Sequence, residues 1–304
     1  MNRVLFFKQA GKDMSADFTI RKNYRNDDCL RSSFNRLAEK TFNLNFENWY
    51  QNGFWNDDYN PYSVVMDGNV VSNVSVNRID MMWGGEKKRL IQLGTVMTSE
   101  EYRGRGLIRT LMEEIERDYS GKCDGMFLFA NDSVLDLYPR FGFQKADEYQ
   151  YGKTVSNTSE RSVINISMRE KHNREVVMEA IRHNRSFYGF DMTDNIGLYM
   201  FYLSQFMEDN VYYSEKLKAY IAAQEDDDEL FLHAVFAANP ISLDEAIRAF
   251  GKSVRKVKLG FVPDKKEQYE CSLLKEEDTT LFVKGKVLES FSDRKLLFPM
   301  LSRA

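Results

Sequence analysis

Apolar residues Leu30, Phe34, Leu37 and Phe42 recur with a roughly helical period behind Asn26-Asp27-Asp28. Short acidic and amide side chains at that place can accept from the first free N–H groups, so a helix is expected. Before it, residues 18–23 (FTIRKN) read as a strand. A second helical stretch near Phe46, Trp49 and Tyr50 stops at Gly53. Residues 62–66, 70–79 and 90–98 then read as strands. They are separated by Asp67-Gly68 and Trp83-Gly84-Gly85, sequences that reach positive φ cheaply and close hairpins. The pattern changes at Ile108, Leu111, Met112 and Ile115, spaced i, i+3, i+4, i+7, with Glu113, Glu114, Arg117 and Asp118 opposite, which predicts an amphipathic helix. Residues 126–130 form a short buried strand. Asn131 is expected to cap a helix running to about Tyr138, where Pro139 disturbs its end, and Phe141-Gly142-Phe143 opens the next strand. This order predicts a mixed α/β unit, a hairpin meander followed by a crossover.

Residues 154–160 are polar and read as a linker, after which the chain begins again. A strand over 162–168 and a helix over 175–181 precede a helix over 196–207 rich in Leu, Tyr and Phe. Strands over 217–223 and 230–237 flank the acidic turn EDDDE, a solvated like-charge run. Ser242 and Glu245 form a capping-box pattern before a short helix, and residues 254–262 are a strand. The element order echoes the first half, so a diverged internal duplication is expected. The fold class is α/β (α+β), with two domains at 1–155 and 160–304. Each is expected to be a mixed, mostly antiparallel twisted sheet flanked by helices.

Composition supports folded domains: of 304 residues, 43% are hydrophobic and 13% aromatic, enough to fill a core in each half. The net charge of −4, with no basic face, argues against nucleic acid as a partner. No apolar stretch approaches the roughly 20 residues of a membrane span. The run Val4 to Phe7 is too short for a signal-peptide core, so a cytoplasmic location is expected. The three cysteines are far apart and all three histidines follow residue 170, so neither a disulfide framework nor a metal site is indicated.

The chemistry-bearing stretch is residues 95–114, TVMTSEEYRGRGLIRTLMEE. A strand runs into Arg103-Gly104-Arg105-Gly106 and straight on into the amphipathic helix. Glycines let the backbone approach a ligand closely, and the helix start presents unpaired N–H groups, so the loop suits a pyrophosphate. The segment resembles motif A of the GNAT acetyltransferase superfamily (Arg/Gln-x-x-Gly-x-Gly/Ala), with Ile108 in place of the final small residue. Residues 131–143, NDSVLDLYPRFGF, resemble motif B of the same family through Asn131, Tyr138, Gly142 and Phe143, with Val134 where Ala is usual. The resemblance covers roughly residues 17–153.

The resemblance implies acetyl-CoA as cofactor and an N-acetyltransferase using direct transfer in a ternary complex. It implies donor contacts at Val96, Met97 and Thr98 on the strand and at Arg103, Gly104, Arg105, Gly106, Leu107, Ile108 and Arg109 on the loop and helix, with Asn131 steadying the cofactor. Tyr138 is implied as the acid that protonates the departing thiolate. The inward positions of the preceding strand are Leu90, Gln92 and Gly94. None accepts a proton, and Gln92 is the one able to orient a water or the substrate. A carboxylate from Glu47, Asp57 or Asp58, beside Trp49 and Phe54, or the C-terminal carboxylate at Ala304, is a further candidate base. The acids and aromatics near 47–59 point to a small cationic amine, with a peptide amine left open. The second half carries AANPIS where the arginine-glycine loop would stand, so it is expected to lack a cofactor site and either to shape the acceptor pocket or to form a homodimer interface. The alternative function is a non-catalytic acyl-CoA-binding sensor.

Overall fold

The computed structural model describes residues 4–5, 18–185, 188–193 and 195–303. Its first half runs β1 (Val4–Leu5), β2 (Phe18–Lys22), α1 (Asp28–Phe42), α2 (Glu47–Gln51), β3 (Tyr59–Met66), β4 (Asn69–Trp83), β5 (Glu86–Thr98), α3 (Leu107–Tyr119), β6 (Gly125–Ala130), β7 (Gln144–Ala146) and β8 (Tyr149–Thr154). The second runs β9 (Ile164–Ile166), α4 (Lys171–Arg182), β10 (Phe190–Thr193), α5 (Ile196–Gln205), β11 (Val211–Ser214), β12 (Ala219–Asp226), β13 (Glu229–Ala237), α6 (Leu243–Arg248), β14 (Lys256–Leu259), β15 (Glu270–Leu273) and β16 (Thr280–Lys284). Among the described residues no helix is long and apolar enough to cross a membrane.

Local chemistry accounts for most of the boundaries. Asp27 caps α1 by accepting from the Leu30 N–H at 3.1 Å. Asp67 and Gly68 turn with φ of 47° and 75°, both left-handed, as a two-residue hairpin loop requires. Ser242 and Glu245 form the expected capping box at α6. The helix expected over 131–138 does not form. Short 3-10 turns stand at Asp132–Val134 and Tyr138–Phe141 instead. Asn131 does not cap; its side-chain amide donates to Asp278 at 2.8 Å, and the same carboxylate takes the Asp132 N–H at 2.7 Å. Pro139, without an N–H, cannot continue an α-helical ladder.

Two sheets, mostly antiparallel, carry the fold, as the sequence predicts. In the first the order is β1-β2-β3-β4-β5-β6-β16-β7, with β10 added along β4; in the second it is β15-β8-β14-β13-β12-β11-β9. Each sheet contains a meander of three antiparallel strands followed by one parallel strand reached through a helix: β3-β4-β5 then α3 and β6, and β11-β12-β13 then α6 and β14. The halves also exchange strands. β16 comes from the end of the chain and inserts between β6 and β7, while β8, which precedes the polar linker, inserts between β14 and β15. The sheets therefore do not divide at residues 155–160. One hydrophobic cluster runs through both halves, from Phe34 and Trp49 to Phe236 and Phe298.

This exchange carries a testable consequence. A fragment of residues 1–158 lacks β16, leaving an open edge on β6 and β8 without a sheet to join. It is expected to melt without a cooperative transition by circular dichroism, and co-expression with residues 159–304 is expected to restore one. A sharp two-state melt of the fragment alone contradicts this.

Candidate active site

The parallel pair in the first sheet is short. β5 pairs with β6 only from Leu90 to Gln92 against Gly125 to Phe127, although β5 runs on to Thr98 and β6 to Ala130. Past Gln92 the two strands part, and β5's backbone groups on that side are released from the ladder. Its other side is irregular as well. Ser75 pairs with Gly94 and Asn73 with Met97, so Thr95 and Val96 together oppose Val74 in a β-bulge. Thr95 has φ of 46°, a left-handed conformation that a β-branched residue adopts only when its surroundings force it. The force is visible: the Asn73 amide donates to the Thr95 carbonyl at 2.8 Å, and the Tyr59 and Thr95 hydroxyls share a hydrogen bond of 2.6 Å.

A cavity of about 840 Å³ opens at this divergence, where ligands of open α/β sheets commonly sit. Val96, Met97, Thr98, Arg103 and Ile108 form one wall, and Asn131, Leu137 and Tyr138 another. Gly104, Arg105, Gly106, Leu107 and Arg109 do not line it. Leu107 is buried in the core, while the other four are exposed on the loop and first turn between the lining residues Arg103 and Ile108 and just after them. Gly104 and Gly106 have φ of 73° and 77°, and a Cβ built on either meets nothing within 4 Å, so the loop is an open cradle. Gly106 is the N-cap of α3, no side chain caps the helix, and its first turn has no acid. Its leading N–H groups and the positive end of its dipole are thus available to an anion. Arg105 is partly engaged, donating to the Glu101 carbonyl at 2.8 Å and lying over the Tyr102 ring. Arg103 donates to the Thr98 carbonyl at 3.3 Å. These features fit a diphosphate with an acyl arm running along the end of β5.

Tyr138 is 3% exposed and packs on Phe143 and on Phe282 of β16, ring centroids 6.4 and 5.5 Å away. Burial pushes its phenol up to about 12, so at neutral pH it keeps the proton it could donate. The strand exchange is therefore part of the site, since β16 supplies the ring under Tyr138.

The remaining expected residues divide. Trp49 lines the cavity, its indole N–H donating to the Gly197 carbonyl at 2.8 Å. Phe54 does not line it. Its carbonyl lies 2.6 Å from where a Cβ on Gly197 would stand, so it belongs to the packing that lets α5 approach. Asp57 pairs with Arg25 at 2.5 Å, Asp58 with Arg78, and Glu47 with Arg31 at 2.9 Å; none of the three reaches the cavity. Asp57 is exposed and Glu47 and Asp58 are half-buried, and each carboxylate is better placed against its arginine than held in an apolar pocket. Gln92 is fully buried and lies behind the lining residues rather than among them. Ala304 lies outside the described residues.

Sequence reasoning allowed the second half to shape a pocket but named none of the residues of the far wall. Phe46, Leu198, Phe201, Tyr202 and Phe206 line it, with Phe129 and Arg303. One signal was present: α5 is apolar on nearly every face, which marks a helix buried on several sides. Phe201 stacks on Phe46 at 5.5 Å, joining α5 to the first half. Arg303 arrives by a different route. In the second sheet β13 also outruns its parallel partner β14, and its register shifts at His233 as β5's does at Thr95. Here residues 299–303 pack at the divergence, the Met300 N–H donating to the Gly260 carbonyl at 2.8 Å with Leu301 and Ser302 buried. Arg303 then pairs with Glu148 at 2.9 Å and with Glu276, and its carbonyl accepts from the Tyr202 hydroxyl. Burial pushes the Glu148 carboxyl up to about 7 and the His233 imidazole down to about 4.

Residues 28–146 match the family model for the acetyltransferase (GNAT) domain. No curated protein matches the sequence. Among solved structures, the chain is similar to a protein of Enterococcus faecalis described as a probable N-acyltransferase, with 16% identity, a TM-score of 0.59, and coverage of 90% of this chain and 74% of that one. It is also similar to Eis1 from Mycobacterium abscessus, with 13% identity, a TM-score of 0.54, and coverage of 86% and 73%. A GCN5-related N-acetyltransferase from Anabaena variabilis aligns with 13% identity, a TM-score of 0.50, and coverage of 86% and 72%. At these identities the likeness is one of fold.

Proposed function

We propose that this chain, whose residues 28–146 match the family model for the acetyltransferase (GNAT) domain, is an N-acetyltransferase that uses acetyl-CoA and a primary amine in a ternary complex. The observation that carries this reading is the uncapped, acid-free start of α3 beside the parted ends of β5 and β6, with the protonated Tyr138 lining the same cavity from the other wall. Bound acetyl-CoA supplies an activated thioester. The Gly104–Gly106 loop and α3 hold its diphosphate through backbone N–H groups, with Arg103 beside them. The released backbone of Val96 to Thr98 positions the arm. Transfer exchanges the carbon–sulfur bond for a carbon–nitrogen bond. The Tyr138 hydroxyl protonates the thiolate that leaves, and the amine's surplus proton passes to water. Among the described residues the one carboxylate on the cavity wall is Asp278, which is held by Asn131 and Asp132, so no side chain of the wall serves as base.

The test is two measurements on the full chain: coenzyme A binding by calorimetry, and thiol release from acetyl-CoA with primary amines. Micromolar binding and amine-dependent release are expected. Absence of coenzyme A binding rejects the reading. Binding without release from any amine favours the sensor instead.

A further inference from the structure

The reading above leaves the acceptor open, and the far wall of the same cavity bears on it. We propose that the acceptor is a primary amine carried on a neutral, apolar or aromatic body, an arylalkylamine or alkylamine, and not a polycation. The proposal rests on the acetyltransferase reading and narrows it.

Three observations converge. First, the charged groups on the wall, among the described residues, are Arg103, Arg303 and Asp278. Asp278 is already engaged by Asn131 and the Asp132 N–H, and Arg303 is held by Glu148 and Glu276 from behind. A polyamine or a polyamino sugar would find no unengaged carboxylate on the wall for its additional ammonium groups, and burying them there without a partner disfavours it. Second, the wall away from the donor loop is built from large apolar side chains, with Phe46, Trp49, Leu198 and Phe201 behind and Phe129 to one side. The tyrosine hydroxyls there are spent within the protein, Tyr59 on Thr95 and Tyr202 on the Arg303 carbonyl. Such a wall rewards apolar surface and offers little to a polar body. Third, of the large hydrophobic side chains left exposed among the described residues, Phe42, Val134 and Phe206 all belong to this cavity. They extend the apolar wall outward to solvent.

The same wall supplies the deprotonation step that no side chain supplies. An ammonium moved from water against apolar walls loses solvation, which lowers its pKa and releases its proton to water before attack. An amine on an apolar body enters far enough for this to act; a polycation held at the mouth does not.

The experiment compares kcat/KM for phenethylamine and for spermidine at saturating acetyl-CoA, read as thiol release. An n-alkylamine series and the exposed-residue variant Phe206→Ser run beside it. Expected are at least a tenfold preference for phenethylamine and a rise of about fourfold in kcat/KM per added methylene until the pocket is full. Phe206→Ser should raise KM for phenethylamine several-fold with KM for acetyl-CoA unchanged. Equal or better turnover of spermidine overturns the proposal, as does a flat alkylamine series. Coenzyme A binding with no turnover of any alkylamine or arylalkylamine overturns it too. If octanoyl-CoA outperforms acetyl-CoA with one fixed amine, the apolar wall serves the donor's chain and the proposal is wrong. Failure to bind coenzyme A at all instead rejects the acetyltransferase reading, so the two failures are distinguishable.

Discussion

Tyr138→Phe is expected to lower kcat about 100-fold or more while leaving coenzyme A affinity within twofold, because the change removes one proton donor and nothing else. The ring stays between Phe143 and Phe282, and the cavity keeps its shape. Burial is what raises the phenol to about 12, so the wild-type hydroxyl is protonated throughout the working pH range and acts as a donor. Without it, the leaving thiolate must take its proton from water. Steady-state thiol release and calorimetric coenzyme A binding separate the effects. A kcat within threefold of wild type removes Tyr138 from the mechanism; a parallel loss of binding makes it a packing residue. Thermal unfolding is expected to move little, since a buried ring is kept and a single oxygen is lost.

The second large effect is expected at the donor loop. Gly104→Glu should abolish measurable coenzyme A binding, a loss of at least about 100-fold, while the protein remains folded. Two costs add. At φ of 73° a residue with a Cβ is strained by roughly 1–2 kcal/mol. A carboxylate then stands beside the start of α3, where the dipole and free N–H groups favour an anion, and it repels or displaces the diphosphate. The new side chain has room, because the glycine's Cβ position meets nothing within 4 Å, so core packing is untouched. Circular dichroism and calorimetry decide together. Retained binding places the diphosphate elsewhere, whereas an unfolded variant is resolved by Gly104→Ala, which carries the backbone strain without the charge.

The proposed donor half of the cavity was legible because its signals are local. A strand, a Gly-x-Gly loop and an amphipathic helix follow one another within residues 95–114, and neighbouring residues set the turn, the cap and the helix face. The position of Tyr138 was legible through its spacing from Asn131, yet the helix expected between them was not formed. Asn131 bonds to Asp278, 147 positions away, and no local pattern reports such a partner.

The far wall of the cavity was not legible, for the same physical reason. Acids at 57 and 58 sit close to Trp49 in sequence, but they are engaged by Arg25 and Arg78 and do not line the cavity. The far wall comes from α5, Phe129 of β6 and Arg303, brought together by burial of apolar area, which has no direction along the sequence. The sequence by itself thus determined most elements of the first half and their order, the Gly-x-Gly loop before α3 and the place of the buried tyrosine, all set by neighbours a few residues apart. Only the tertiary structure decided that β8 and β16 change sheets, that residues 299–303 pack at the divergence of β13 and β14, and that the far wall of the cavity is apolar. Strand partners and pocket walls are chosen between residues a hundred or more positions apart, where pairing and packing compete over the whole fold.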